Sequence, residues 1–422
     1  MFLKLNNIGK ISQAEISLDG LTVIAGVNDS GKSTVGKALY SIVKAYNTTE
    51  NYTEERRQFQ LLKSVNNFYQ KYSDIIINQL IMPGTVDDFM HVCKTDDETI
   101  VQCLKNAIGA LSTLDNTPRN ISMIRREIYD IIGLIEKKDK DKFFQQSLRK
   151  GILSEFKDRF QRIGTSEGEL YITDDTAAVG LKMGNFNDGD FYVIKDNGIS
   201  MFTDVTYIES PLFMREYPTY LINREGWALH GVQTDHLYDF LRKLDTFNSM
   251  KTHVVDEENR WALDYADMIA EISKGHFVRN QISDALKWSD NSGNEFNPLN
   301  VASGIKSMGV LQMLMQAGYV DTNKLLIWDE PENHLHPEWQ IKLAGILVQL
   351  ASFGVPVLVN SHSPYFIQAI RFNASKTGVE KYVRYYLSED NADNSVRLDE
   401  VTDDLNRLFY KLAEPLNSIM DL

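Results

Sequence analysis

The chain has 422 residues, of which 43% are hydrophobic and 24% charged, and its formal net charge is −14. No segment approaches the roughly 20 consecutive apolar residues of a membrane-spanning helix, and two cysteines are too few for a disulfide framework. We therefore expect a cytoplasmic globular protein without general electrostatic attraction for nucleic acid.

The first 46 residues predict two paired strands, a buried strand and a helix. Residues 2–5 and 14–18 alternate apolar and polar side chains, and a turn signal follows at Asp19-Gly20. The continuous apolar run Leu21–Ala25 is typical of a strand that is covered on both faces. This run leads directly into a glycine-containing loop, and residues 33–46 then have the pattern of a helix.

The glycine-containing loop Gly26–Ser33 has the spacing G-x-x-x-x-G-K-S. In such a loop, backbone N–H groups and the dipole of the next helix bind phosphate oxygens. The lysine contacts the β- and γ-phosphates, and the hydroxyl that follows it binds Mg²⁺. We expect Ser33 to ligate Mg²⁺ and the loop to bind ATP. The predicted ATP-binding residues are Gly26, Asn28, Ser30, Gly31, Lys32, Ser33 and Thr34.

Residues 47–165 show helical periodicity with few glycines, which indicates a mainly helical insertion. The insertion lacks a sustained heptad repeat, so we do not expect a long coiled-coil arm. Within it, residues 119–162 contain twelve Lys and Arg against seven Asp and Glu, a net charge of +5. A solvated helix face explains such a mixed run, and a nucleic-acid or partner contact is the alternative.

The pattern changes again after the insertion. Residues 168–210 have a period of two and predict strands, and residues 211–298 are mixed, with helices predicted at 236–243 and 263–273. The last block predicts a helix, a strand, a helix, a strand and a short tail. The four predicted elements span 306–317, 325–328, 337–351 and 355–359. Strands that alternate with helices indicate an α/β fold. We expect a mixed sheet with flanking helices and an antiparallel part.

The predicted strand at 325–328 ends in two acids, Asp329 and Glu330. Alone, this pattern often marks only a strand that meets a loop. Beside a phosphate loop, the first carboxylate orients Mg²⁺ and the second orients the attacking water or accepts its proton. We therefore expect Asp329 at the metal and Glu330 as a catalytic residue.

Two further motifs are candidates for contact with a γ-phosphate. His362 follows the predicted strand at 355–359, where a structural histidine is the alternative. Ser303 and Gly304 precede an apolar helix. Ser303 is suited to N-capping, and the pair would leave free N–H groups at the positive end of the helix dipole. They are either a plain helix cap or an anion site, which a second subunit's nucleotide would occupy.

The order of these motifs resembles that of ABC-type ATPase heads and, within that class, of the OLD/RecF-like ATPases. The resemblance rests on Ile8–Ile11, Gly20–Ile24, Asp329–Pro337 and Ser361–Tyr365, and it covers about residues 1–46 and 166–380. It implies that ATP binds between two subunits, with Lys32 and Ser33 of one facing Ser303 and Gly304 of the other. It also implies Glu330 as the catalytic base, His362 as the switch residue and residues 333–336 as a loop exchanged between active sites.

The chain departs from its relatives at several points. The signature motif of ABC-type ATPases usually reads Ser-Gly-Gly-Gln, whereas this chain has Ser303-Gly304-Ile305-Lys306. This change argues against a membrane-transporter subunit and leaves Lys306 as a candidate phosphate contact. We find no segment that matches the glutamine loop. OLD-type proteins also carry a C-terminal Toprim nuclease, and residues 363–422 are too few for that domain. The chain is thus similar to the stand-alone ATPases of bacterial anti-phage systems such as the Septu type.

The resemblance to these proteins predicts a Mg²⁺-dependent ATPase that forms a dimer or a higher homo-oligomer. It also predicts that the ATPase regulates a separate nuclease or toxin in anti-phage defence. Nucleic acid is a possible but not required partner, and no membrane is expected. The alternative is a DNA-repair or chromosome-maintenance head that binds DNA directly. The predicted divisions are an ATPase head half at 1–46, the helical insertion at 47–165, strands of the head with a mixed insertion at 166–298, and the second head half at 299–422.

Overall fold

A computed structural model gives the architecture of the chain. It describes residues 1–50, 54–79, 83, 85–111, 118–136, 140–157, 159–174, 176–185, 190–195, 199, 201–209, 236–249, 260–279 and 285–420. The chain divides into two compact units, one formed by Met1–Asn47 with Leu148–Leu422 and the other by Thr48–Ser147. None of the described helices combines the length and apolar character that crossing a bilayer requires.

The helices are α1 (Lys32–Glu50), α2 (Glu54–Gln79), α3 (Val86–Thr95), α4 (Asp97–Ala110), α5 (Pro118–Glu136), α6 (Lys140–Phe156), α7 (His236–Ser249), α8 (Arg260–Ser273), α9 (Ser303–Gln316), α10 (Pro337–Ser352), α11 (Pro364–Thr377) and α12 (Leu405–Met420). The strands are β1 (Phe2–Ile8), β2 (Ile11–Ser17), β3 (Leu21–Ala25), β4 (Gly168–Thr173), β5 (Ala178–Asn185), β6 (Asp190–Lys195), β7 (Asp204–Ile208), β8 (Gly275–Arg279), β9 (Leu286–Asp290), β10 (Glu295–Phe296), β11 (Lys324–Asp329), β12 (Val357–Ser361), β13 (Val383–Asp390) and β14 (Val396–Glu400).

The larger unit is built on a mixed sheet. The described strands pair as an eleven-stranded sheet in the order β6-β5-β4-β1-β2-β14-β13-β3-β12-β11-β7, and β8 to β10 form a second sheet. The neighbours from β13 to β7 are parallel, whereas those from β6 to β2 are antiparallel. With its flanking helices, this sheet confirms the predicted fold class.

The parallel part of the sheet positions the site. Every residue of β3 and β12 is buried, which fits the mainly apolar sequence of β3 and the apolar start of β12. Because the strands are parallel, their carboxyl ends meet at one edge of the sheet. The segments that follow β3, β11 and β12 therefore emerge side by side.

Two expectations about the C-terminal half were wrong. The strand predicted at 355–359 is β12 and spans Val357–Ser361, because Pro356 has no N–H to donate to a neighbouring strand. The predicted short tail instead contains α11, β13, β14 and α12. Strand β13 pairs with β3, far away in the chain, and local periodicity does not report such a pairing.

The smaller unit has a hydrophobic core of its own. Helices α2 to α5 contribute its buried side chains, among them Leu61, Val65, Phe68, Phe89, Leu104 and Ile128. Its bounds differ from the predicted insertion 47–165, since residues 148–165 group with the larger unit. Of the predicted basic run, Lys137 and Lys138 lie outside the described residues.

A buried ion cluster fixes β7 within the larger unit. Asp239 of α7 is 2% exposed and contacts Lys44 Nζ of α1 at 2.7 Å and Lys243 Nζ at 3.1 Å. Asp204 at the start of β7 contacts the same two lysines, at 3.1 and 2.8 Å. Burial would raise the pKa of Asp239, but the attraction of Lys243 and Lys44 outweighs it and the pKa is lowered. The Asp239 carboxylate is therefore charged, and the cluster joins α1, α7 and β7.

The ion cluster gives a prediction about stability. We expect Asp239→Asn to lower the free energy of unfolding by about 3 kcal/mol, because it leaves buried ammonium groups with less compensating charge. Urea denaturation measures this change. Asp267→Asn, at an exposed position of α8, is the matched control and should stay within about 0.5 kcal/mol of the wild type. Equal stabilities of the two variants would show that the cluster contributes little.

Candidate active site

The phosphate loop connects β3 to α1 and has the backbone that its glycines predict. Gly31 has a φ of 80° and Asp29 a φ of 63°, which are left-handed values. A Cβ atom on Gly26 would lie 1.8 Å from Ser388 Oγ of β13, so a larger residue does not fit there. Lys10 Nζ donates to the backbone oxygen of Asp29 at 2.9 Å and to its carboxylate at 2.8 Å. Strand β13 and the turn between β1 and β2 thus shape the loop.

The other predicted residues of the loop differ in exposure. Asn28 and Ser33 are exposed, and Thr34 is half-buried. Ser30 is buried, and its Oγ has no hydrogen bond of good geometry within the described residues. An unsatisfied buried hydroxyl in a loop of this spacing fits a phosphate oxygen as its partner.

Lys32 is buried inside the loop at the start of α1. Its Nζ donates to the carbonyl oxygens of Gly26 at 2.9 Å and Val27 at 2.7 Å. Burial lowers the pKa of the ammonium group, and three nearby carboxylates oppose this shift: those of Glu330, Asp329 and Glu332. The structure therefore brings the loop lysine and the acids after β11 into one electrostatic cluster.

Asp329 lies at the end of β11 and is 5% exposed. It pairs in register with Asn360 of β12, and Asn360 Nδ2 donates to the carbonyl oxygen of Lys32 at 3.1 Å. Tyr207 of β7 donates its hydroxyl to Asp329 Oδ2 at 3.0 Å. Burial raises the pKa of Asp329, and interactions with the side chains of Ser33, Asn360 and Tyr207 oppose that shift.

These oxygens fit a magnesium ion. Asp329 Oδ1 is buried and has no hydrogen bond of good geometry in the described part of the chain, and Ser33 interacts with the same carboxylate. The described residues contain no group of three or more His, Cys, Asp and Glu suited to a metal. Mg²⁺ prefers hard oxygen ligands and is often held by one or two protein groups with phosphates and water. Ser33 and Asp329 would hold it in this way.

Glu330 follows Asp329 and is held by two side chains. Asn333 Nδ2 donates to Glu330 Oε2 at 2.6 Å, and His362 Nδ1 lies 3.2 Å from Glu330 Oε1. The backbone φ of Glu330 is 46°, an unfavourable value for a residue with a side chain. The Glu330 side chain is 29% exposed. A partly exposed carboxylate in a fixed orientation is suited to bind and deprotonate a water molecule.

Glu332 is a site residue that the sequence analysis missed. Its side chain is 3% exposed and accepts hydrogen bonds from Ser361 Oγ at 2.5 Å, His362 N at 3.2 Å and Ser363 N at 3.3 Å. Burial raises its pKa, and the Ser361 hydroxyl opposes the shift. Glu332 thus fixes Ser361–Ser363, which we call the His362 segment, to the loop after β11. The second glutamate of Asp-Glu-Pro-Glu was the sequence feature that could have indicated this role. Its hydrogen-bond partners, however, lie at the end of β12 and just after it.

Ser303 and Gly304 form the first turn of α9. Of the two alternatives for Ser303, the plain N-cap does not hold, because the N-cap is Ala302 and Ser303 is the first helical residue. Gly304 packs closely on Trp339, 3.0 Å from the position of an added Cβ. Lys306 is 4% exposed, with its Nζ 3.4 Å from the carbonyl oxygen of Leu299. This placement does not support Lys306 as a phosphate contact within the same chain.

A protein-family model described as "AAA domain, putative AbiEii toxin, Type IV TA system" matches residues 219–368. The match includes Ser303, Asp329, Glu330 and His362 but begins after the phosphate loop and covers less than half of the chain. Together with the phosphate loop, it supports a P-loop ATPase. Among proteins of curated function, none matches the sequence.

Several solved structures are distantly similar to the chain. One is an SMC head bound to the C-winged helix domain of ScpA, with 9% identity, 96% coverage of this chain, 98% of that chain and a TM-score of 0.40. The SMC head domain from Thermotoga maritima has 9% identity, coverages of 95% and 98%, and a TM-score of 0.39. An SMC head with an extended coiled coil bound to the C-terminal domain of ScpA, derived from Pyrococcus furiosus, has 9% identity, coverages of 98% and 98%, and a TM-score of 0.41. These similarities are too distant to transfer a function.

The buried Glu332 gives a prediction about the His362 segment. We expect Glu332→Ala to lower the free energy of unfolding by about 2 kcal/mol, because it removes the acceptor of three hydrogen bonds. Chemical denaturation monitored by circular dichroism measures this loss. The control is Glu338→Ala. The Glu338 carboxylate is exposed and pairs with Lys342, so its loss should leave the stability close to that of the wild type. If Glu332→Ala is as stable as this control, Glu332 does not anchor the segment.

Proposed function

We propose that the protein is a Mg²⁺-dependent ATPase whose active site is of the ABC type and is shared between two subunits. The observation that carries this proposal is the convergence of Lys32, Asp329, Glu330 and His362. Asp329 ends β11, and Lys32, Glu330 and His362 follow β3, β11 and β12, which are three adjacent parallel strands. Each also interacts with another member of the set.

Each part of the cluster has a role in phosphoryl transfer. The loop N–H groups and Lys32 bind the phosphates, and Ser33 and Asp329 hold the metal. When bound, Mg²⁺ neutralises the charge that develops on the transferring phosphoryl group. Little covalent chemistry remains for the protein, so positioning of the water and the phosphates dominates catalysis.

Glu330 is the proposed catalytic base. It lies beside the proposed metal ligand Asp329 and is oriented by Asn333, 2.6 Å away. His362 lies on its other side and has a 39% exposed side chain. An exposed imidazole that also contacts the base can bind the γ-phosphate, and it would then couple the position of Glu330 to the presence of that phosphate.

The second subunit would complete the site with the N-terminus of α9. Ala302, the N-cap, makes no side-chain hydrogen bond to the first turn of α9. The first N–H groups of a helix have no partner within the helix, and the dipole makes them attractive to an anion. We propose that another copy of the chain presents Ser303 and Gly304 to the γ-phosphate, as the resemblance to ABC-type ATPase heads implies.

We further propose that ATP turnover regulates a separate effector, a nuclease or a toxin, in anti-phage defence. The description of the matched family names a toxin and a toxin–antitoxin system, which supports a chain that acts within an effector system. The helical unit Thr48–Ser147 has its own core and is a candidate surface for a partner. The alternative of direct DNA binding depends on the basic segment at residues 119–162, part of which lies outside the described residues.

Two substitutions test the proposed active site. Lys32→Ala should abolish ATP binding, and Glu330→Gln should bind ATP but hydrolyse it at least about 100-fold more slowly, because it lacks the base. Phosphate release and binding of a fluorescent ATP analogue measure the two effects. The matched controls, Lys376→Ala and Glu380→Gln, change exposed residues and should behave as the wild type. Unchanged turnover in either active-site variant would contradict the proposal.

The shared site predicts dimerisation on ATP. Glu330→Gln with ATP and Mg²⁺ should have twice the monomer mass of 48.2 kDa in mass photometry, because unhydrolysed nucleotide joins two subunits. Adding Ser303→Arg should restore the monomer without loss of ATP binding, since the bulky cation blocks the approach of the second subunit to α9. A Glu330→Gln protein that binds ATP and remains monomeric would exclude the shared site.

A further inference from the structure

The candidate metal ligand Asp329 accepts a hydrogen bond from the buried Tyr207. Tyr207 lies on β7, pairs in register with Ile327 of β11 and is 1% exposed. Its hydroxyl donates a hydrogen bond of 3.0 Å to Asp329 Oδ2. This bond occupies one oxygen of the carboxylate and leaves the other, Oδ1, without a hydrogen bond of good geometry in the described residues.

The position of the Tyr207 ring is closely restricted. A Cβ atom added to Gly36 of α1 would lie 3.3 Å from both the hydroxyl oxygen and the Cζ atom of Tyr207. The end of the tyrosine ring therefore lies against α1, the helix that follows the phosphate loop. The ring also stacks on His236, with centroids 4.6 Å apart and an interplanar angle of 29°.

His236 is held by two carboxylates. Its Nδ1 lies 2.7 Å from Glu155 Oε2, and its backbone N donates to Glu155 Oε1 at 2.9 Å. Its Nε2 lies 3.3 Å from Glu209 Oε2. Burial would lower the pKa of His236, but the hydrogen bonds to Glu155 and Glu209 outweigh it and raise the pKa to about 9. At neutral pH the ring is an imidazolium, and a cation over an aromatic face is attracted to it.

We propose that Tyr207 is a positioning residue for the metal site. Its hydroxyl holds Asp329 so that Oδ1 faces the ion, and His236, fixed by Glu155 and Glu209, holds the Tyr207 ring. The inference rests on the proposed function for the identity of the metal as Mg²⁺. Without the hydroxyl, the buried carboxylate loses a hydrogen bond that stabilises its charged form and its orientation. The metal should then bind more weakly while the phosphate loop is unchanged.

The test measures the metal directly. Mn²⁺ replaces Mg²⁺, and its binding to the full chain with a non-hydrolysable ATP analogue is followed by electron paramagnetic resonance. We expect Tyr207→Phe to weaken Mn²⁺ binding about tenfold, the effect of losing one hydrogen bond to a charged group. Binding of the same analogue in EDTA should not change. The control is Tyr265→Phe, which removes a buried hydroxyl that donates to the carbonyl oxygen of Ile346, and it should bind Mn²⁺ as the wild type does.

A second variant tests the role of His236. His236→Gln can keep a hydrogen bond to a glutamate but removes the charge stacked on Tyr207, and we expect it to weaken Mn²⁺ binding about threefold. Wild-type Mn²⁺ affinity in Tyr207→Phe would overturn the inference. Equal losses of analogue binding with and without metal would also overturn it, because they would indicate a general structural role. A wild-type chain that binds Mn²⁺ and the analogue but does not hydrolyse ATP would refute the proposed function and leave this inference intact.

Discussion

The parallel pairing of β12 with both β3 and β11 is the constraint on which the candidate site depends. In this register Ser361 lies opposite Ala25, and Asn360 lies opposite Asp329. The phosphate loop, the loop that begins at Glu330 and the segment that begins at His362 therefore leave the sheet side by side at the same edge. A shift of one residue in either pairing would turn the side chains of that strand to the other face.

The cost of burying charge at this edge is offset by specific contacts. Burial lowers the pKa of Lys32 and raises those of Asp329 and Glu332, so desolvation disfavours the charged form of all three. The carboxylates around Lys32 and the hydrogen bonds to Glu332 act in the opposite direction. Buried charges persist where such partners are present. These partners reduce the cost of burial without cancelling it, since the three pKa values remain shifted in the direction that burial imposes.

The motifs that could be predicted from the sequence are those whose chemistry is local. The phosphate loop and the acidic pair each follow an apolar strand within a few residues, so the two motifs taken together made Lys32, Asp329 and Glu330 candidates. The roles of Tyr207 and Glu332 depend on partners that lie far away in the chain, 122 and 29 residues from them. Nothing in the residues around Tyr207 indicates that its hydroxyl will meet Asp329. The strand β13 was missed for the same reason, since its central place depends on a pairing with β3.

Both chain connections of the helical unit lead to residues of the candidate site or to their contacts. The unit Thr48–Ser147 is entered through α1, which begins at Lys32, and left through α6, which carries Glu155 near its end. Glu155 holds His236, and His236 stacks on Tyr207. One connection of the unit therefore starts at the phosphate loop, and the other ends on a residue that leads through two contacts to Asp329.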